Sequence, residues 1–314
     1  MARTLGQFYN MDSFENAKKY FQSLDSNGGL VLGRNLEHIS PTLFEQKVSG
    51  VTFLEQGITV NNEGGYADAI TKLKVNAQGE FKLAGQNTNG NGKISIGMEG
   101  DTIPVFSYEG NSDWSERDIK KAELQNINLV QRFVSAHDKI YKQTIDSIGY
   151  LGQEGKTEGL LNFTDFTSDA AAKTFANSTG QEMYDEIREL IQGQRSSVLL
   201  DEVFSCDRLV MHPDTFQQIN GTFINTAGGL STVKEAIERT QNVTIGVTPK
   251  AEIGGVKRVV AYSSSEQAMQ MRIPVQLSLS NTDQRGFRYY VESMFAVAGL
   301  DLIEGNAGAI LTGV

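Results

Sequence analysis

The spacing of apolar residues changes several times along this chain, and each change predicts an element. Phe14, Ala17, Phe21 and Leu24 recur at helical spacing, which predicts a short amphipathic helix closed by the turn residues Ser26–Gly29. Residues 30–50 hold neither the helical nor the strand period and read as an extended arm. From Val51 the pattern becomes short β-like runs: Val51–Val60, Tyr66–Val75, Glu80–Gly85, Lys93–Met98 and Thr102–Tyr108. Gly- and Asn-rich clusters separate them, so a block of antiparallel hairpins is expected, with the polar stretch Gln86–Gly92 at a solvent- or partner-facing tip.

A helical period follows. Ser115, with Asp118 three residues on, can cap a helix whose apolar face holds Ile119, Ile127, Val130, Val134, Ile140 and Tyr141. It is expected to run to Ile148, where Gly149 and Gly152 break it. Some 33 residues make a rod of about 50 Å, about the diameter of a compact globule of this chain length. The apolar positions do not keep a coiled-coil heptad, so a flattened subunit built on a spine helix is expected instead. Residues 150–178 read as loop. Thr179 and Glu182 form a second capping box, and Met183, Ile187, Leu190 and Ile191 mark a helix stopping at Gly193. Strands are expected at Asp207–Pro213, Asn242–Val247, Val256–Tyr262 and Ile273–Ser280. A short helix should end at Gly221, and Thr232 with Glu235 should open another. In the tail, Phe287, Tyr289, Val291, Phe295 and Val297 alternate with Arg288 and Glu292, as a half-buried strand does. The class is α+β.

Charge narrows the function. Acidic residues outnumber basic ones, 38 to 28, for a formal charge of −10 in 314 residues. Gripping a nucleic-acid backbone takes a cation at each phosphate, so this balance argues against nucleic-acid binding as the main task. The single cysteine, Cys206, cannot form an intramolecular disulfide and reads as a small buried hydrophobe rather than a reactive thiol. The N-terminus has no apolar run of signal-peptide length, and no window approaches the roughly 20 apolar residues of a membrane span. His38, His137 and His212 lack partners at metal-ligand spacing, so neither metal nor cofactor is expected.

The stretch Gly149–Thr157 ends in Gly-Lys-Thr and suggests a phosphate-binding loop. It fails that reading. Gly149 stands one residue too far from Gly155, the position that fits holds Tyr150, and the segment leaves a helix rather than a strand. There is no Gly-x-Ser-x-Gly elbow and no His-Glu-x-x-His. The carboxylate pairs Asp185/Glu186 and Glu235/Glu238 read as solvated helix faces. Arg285 and Arg288 flank Gly286-Phe287 and can either grip an acidic partner or pair locally. No catalytic centre emerges.

The order of parts resembles the major capsid proteins of tailed bacteriophages, the HK97-like fold. Four stretches carry the likeness. The hairpin block before the spine is similar to that family's extended loop. Gly149–Asn162, "GYLGQEGKTEGLLN", is similar to a Gly-punctuated turn ending in Gly-Leu-Leu-Asn. "DRLVMHPDTFQQI" resembles the strand, proline and short helix of the axial domain. The segment from "VQLSLS" to "AILTG" resembles the closing return to the peripheral domain.

The resemblance implies an N-terminal arm (1–50), an extended β-hairpin loop (51–112) and a peripheral domain with the spine helix (113–178). An axial domain (179–285) and closing strands (286–314) complete it. It implies a structural protein without catalysis that builds, as hexamers and pentamers of itself, an icosahedral shell around double-stranded DNA held without specific binding. The location implied is the virion capsid, assembled in the host bacterial cytoplasm, with no membrane. A portal, a decoration protein and a separate scaffolding protein are implied as partners, because only about 50 residues precede the hairpins. Assembly contacts are expected at Phe14 and Phe21 of the arm, Gln86, Asn87, Asn91 and Lys93 of the hairpin tip, and Arg285 and Arg288. Lys82 and Lys93 lie in the hairpin block, but nothing sets a proton-shuttling Glu beside them, so no inter-subunit cross-link is expected. Alternatives are an encapsulin-like compartment shell, a phage tail or decoration protein, and a soluble α/β enzyme.

Overall fold

A computed structural model describes residues 51–82, 92–124, 128–197, 204–226 and 229–314. The predicted arm and its helix, with Phe14 and Phe21, lie outside these residues, as do Gln86, Asn87, Asn91 and Ile127.

In chain order the first elements are β1 (Thr59–Asn61), β2 (Ala69–Gly79), β3 (Ile94–Pro104), β4 (Phe106–Ser115), α1 (Glu116–Leu124) and α2 (Leu129–Leu151). There follow β5 (Thr167–Ala170), α3 (Gly180–Ser197), β6 (Arg208–Met211), α4 (Pro213–Gly221), β7 (Phe223–Thr226) and β8 (Gly229–Thr232). Next come α5 (Val233–Gln241), β9 (Thr244–Val247), β10 (Glu252–Ile253), β11 (Val256–Tyr262) and β12 (Met269–Arg272). The chain closes with β13 (Val275–Leu279), β14 (Asp283–Arg285), β15 (Arg288–Val297), β16 (Gly299–Leu302) and β17 (Gly308–Thr312).

A six-stranded sheet runs β5-β17-β11-β6-β9, with β10 on β11. Its middle strands β17, β11 and β6 are buried on both faces, while the edge strand β5 is exposed. Val210, Val260 and Ile310 point into one core with Ile145, Ile148 and Tyr150 of α2 and with Leu160 and Leu161. Their neighbours Leu209, Met211, Val259, Ala261 and Leu311 point into a second core with Ile187 and Ile191 of α3 and Ile237 of α5. Side chains alternate across a strand, so near-continuous apolar runs such as Leu209–Met211 serve both layers.

The helix expected from Ser115 to Ile148 is instead two. The cap at Ser115 forms: Asp118 Oδ2 accepts from the Ser115 hydroxyl at 2.6 Å, and the Asp118 N–H donates back to Ser115 Oγ at 3.3 Å. However, α1 ends at Leu124, and α2 starts anew after Asn128, whose backbone is extended (φ −80°, ψ 95°) and whose side chain accepts from the Gln131 N–H. The 23-residue spine is therefore about 35 Å long, not 50. Its buried face keeps Tyr141 of the expected one and otherwise differs. Phe133 stacks on Trp114 at 4.7 Å, His137 bridges the hydroxyls of Ser112 and Ser293 at 2.8 Å each, and Tyr141 meets Phe295 edge-on at 4.9 Å. That stripe seats α2 on β4 and β15. Val130 and Ile140 face outward. A histidine in the stripe hides it from a purely apolar count.

Gly149 does not end the spine; α2 continues to Leu151. A Cβ on Gly149 would lie 2.5 Å from the Phe53 ring, so the glycine is there to admit that ring. Gly149→Ala is expected to cost about 1–3 kcal/mol through overpacking, read as a lowered thermal midpoint. Gly152 is the true stop: its φ is +73°, and its N–H caps the Ile148 carbonyl at 2.8 Å. Likewise α3 passes through Gly193 to Ser197, since nothing crowds that position. The other two boxes form as expected, at Thr179–Glu182 and Thr232–Glu235.

Candidate assembly surfaces

Among the described residues the expected block of hairpins reduces to one. β2 and β3 pair over their full eleven residues, Ala69 with Pro104 to Gly79 with Ile94. β1 instead lies parallel to β12, and β4 pairs with β15. In the hairpin, directly paired residues share a face. One face thus carries Leu73, Val75, Ala77, Ile94, Ile96 and Met98. Of these, Leu73, Val75, Ile94, Ile96 and Met98 are 55–73% exposed. A strand face this apolar is normally covered. The polar tip Gln86–Gly92 stands out in the sequence more than these five, although their alternation on two paired strands is a legible signal.

Among the described side chains, the opposite face meets the body only at its foot. Ile70 and Ile103, a register pair, are half-buried, and Ile70 packs toward Gly64 and Pro274. One step outward, Lys72 Nζ donates to Asp301 Oδ1 at 2.5 Å and to the Leu302 carbonyl at 2.9 Å, and lies 3.1 Å from Asp101. The Asp301 side chain is 1% exposed, and its other oxygen accepts from Arg272 Nε at 2.7 Å. Arg272 and Asp301 belong to the sheet β1-β12-β16, the pedestal from which the hairpin rises.

Lys93 is exposed just ahead of β3. Arg285 and Arg288 face each other across the β14–β15 turn, paired locally with Asp283 at 2.9 Å and Asp113 at 3.2 Å. Phe287 at that turn is exposed and so sits ahead of the alternating strand rather than in it. This corner also presents Leu124, Arg117 and Lys121 of α1.

The groups with chemical potential are placed structurally. The Gly-Lys-Thr stretch is a tight turn: Gln153 N–H donates to the Thr157 carbonyl, and Lys156 Nζ sits 4.6 Å over the Phe106 ring. Burial pushes the Cys206 thiol up to about 12, so its thiolate is scarce at neutral pH. His212 caps α4, accepting from the Asp214 N–H. Asp185 pairs with Arg188, Glu186 accepts from the Ala172 N–H, and Glu235 closes a capping box. Among the described residues no three His, Cys, Asp or Glu are grouped to hold a metal, and no helix is long and apolar enough to cross a membrane.

A family model described as major capsid protein matches residues 79–314. The chain belongs to the major capsid protein family. This capsid protein is 48% identical to the chain in the solved capsid of Myoviridae phage XM1. The match covers 90% of this chain and 98% of that one at a TM-score of 0.81. The capsid of a native GTA particle aligns at 13% identity over 92% and 99% of the two chains, TM-score 0.67. A chain of Mycobacterium phage Ogopogo aligns at 11% over 88% and 96%, TM-score 0.59. These last two share the fold. Among curated proteins nothing matches. The α+β arrangement is accordingly that of an HK97-like capsid fold, and the capsid protein is a structural shell component of a virion that assembles with copies of itself.

Proposed function

We propose that copies of this capsid protein close, as hexamers and pentamers, into an icosahedral shell around double-stranded DNA in the bacterial cytoplasm, without catalysing a reaction. The observation that carries this reading is the hairpin's apolar face, which the described residues leave uncovered over Leu73, Val75, Ile94, Ile96 and Met98. A repeated contact across copies gives those residues a place away from water. Here β2–β3 is the extended loop, α2 the spine of the peripheral domain, and residues 179–285 the axial domain. Residues 1–50, with Phe14 and Phe21, serve as a tether. Gln86, Asn87, Asn91 and Lys93 form the contacting tip, and Arg285 and Arg288 meet acidic neighbours. Scaffolding, portal and decoration proteins complete the particle.

The charge of −10 suits a container that must release its DNA. Negative-stain microscopy of the purified protein is expected to show hollow shells of uniform diameter. A folded monomer that stays single at high concentration and turns over a metabolite would refute the proposal. Empty shells are also expected to retain little DNA at physiological salt. Tight retention that falls steeply with salt would overturn the view that the genome is held without binding.

A further inference from the structure

The apolar face of the hairpin can meet a neighbour only if the hairpin leaves the body at a fixed angle. Its eleven paired residues make a lever of about 35 Å, so a turn of about 10° at the foot moves the tip by roughly 6 Å. Among the described side chains, contact with the body is confined to that foot. Along β2, Ile70 and Lys72 are half-buried; along β3, Ile103 is; the other described side chains of both strands are exposed. Ile70 and Ile103 sit at the pivot itself, where an apolar contact is non-directional and resists rotation little. Lys72 stands farther out. Its ammonium makes two directed bonds to the pedestal, to Asp301 Oδ1 and the Leu302 carbonyl, and touches Asp101 on the facing strand. It therefore ties both strands of the hairpin to one point. That point is rigid: Asp301 is held from its other side by Arg272, within a paired sheet and 2% exposed.

Resting on the shell function above, we propose that Lys72 is the positioning residue that sets the hairpin's angle against Asp301, and through it the curvature and uniform size of the shell. The Lys72–Asp301 bond spans 229 residues of sequence and belongs to neither hydrophobic core. Lys72→Met keeps the length of the side chain and removes its charge. Asp301 retains Arg272, so the body stays folded.

The test pairs two readouts. Nitroxide labels at Ser95→Cys on the hairpin and Glu154→Cys on the body report the angle in the unassembled chain, because native Cys206 is 2% exposed and escapes labelling. With Lys72 present the measured distance distribution is expected to be narrow. With Lys72→Met it should at least double in width, and Lys72→Arg should restore most of the narrowing. In the second readout, Lys72→Met shells seen by cryo-microscopy should show a broad or shifted range of diameters beside a uniform wild type. An unchanged distance distribution, or particles of unchanged uniform diameter, would overturn the proposal. If the wild-type chain forms no shell, the shell reading fails by itself, and the spin-label distances still decide whether Lys72 holds the angle.

Discussion

Replacing Ile96 and Met98 together by aspartate is expected to abolish shell formation while leaving the subunit folded. In the single chain the two residues are 67% and 73% exposed, so neither contributes to the cores. Covered by a neighbour, each apolar side chain of this size is worth about 1.5–3 kcal/mol. A carboxylate forced into the same place carries a desolvation penalty on top. Each 1.4 kcal/mol is about a factor of ten in association, and every copy in a shell repeats the loss. Shell yield is expected to fall by more than about 100-fold, measured by light scattering and microscopy. The thermal midpoint of the unassembled chain should move by no more than about 2 °C, since surface changes away from special contacts are worth about 0.5 kcal/mol or less. Normal shells from the double variant would show that this face is not an assembly contact.

The second large effect is on stability, at Asp146. This aspartate lies on the buried side of α2 with its side chain 5% exposed. One oxygen accepts from the Thr52 and Phe53 N–H groups at 2.8 Å each, and the other from Lys250 Nζ at 2.6 Å. It thus ties three segments together: the entry turn at Phe53–Glu55, the spine, and the turn before β10. Asp146→Ala leaves two backbone N–H groups, at Thr52 and Phe53, and a half-buried ammonium without their acceptor. Losing one partner of such a set costs about 3–5 kcal/mol, a drop of about 5–8 °C in the thermal midpoint for a chain of this size. Asp146→Asn keeps one acceptor and should lose less. A drop below about 2 °C for the alanine variant would show that these bonds are replaced by water at little cost. The damage should spread to Phe53, whose ring fills the place left open by Gly149 and meets Tyr150 edge-on at 5.2 Å.

Signals that act over three or four residues are legible in the sequence. All three capping boxes form where the spacing of Ser or Thr and an acidic residue places them. Alternation marks β2, β3 and β15. The family likeness drawn from the order of parts matches the capsid family found over residues 79–314. The spine departs from its sequence pattern in length and face for definable reasons. Asn128 is compatible with a helix in sequence yet takes an extended backbone, and the seating stripe runs through His137. Gly149 and Gly193 mimic helix stops because a glycine reads alike whether it frees the backbone or merely makes room. Only the second role applies at Gly149, and neither at Gly193.

What depends on near neighbours is thus written in the chain itself: helix starts, strand periods, and the succession of parts that resembles a shell protein. Which distant partners meet is settled by the folded arrangement. β1 joins β12, Leu209 and Val210 serve opposite cores, Lys72 reaches Asp301, and the hairpin's apolar face is left bare by the described residues. The physical reason is that an alternating strand specifies a face to be hidden from water but not what hides it. That choice is made by residues more than two hundred positions away and, for the hairpin in the proposed shell, by another copy of the chain.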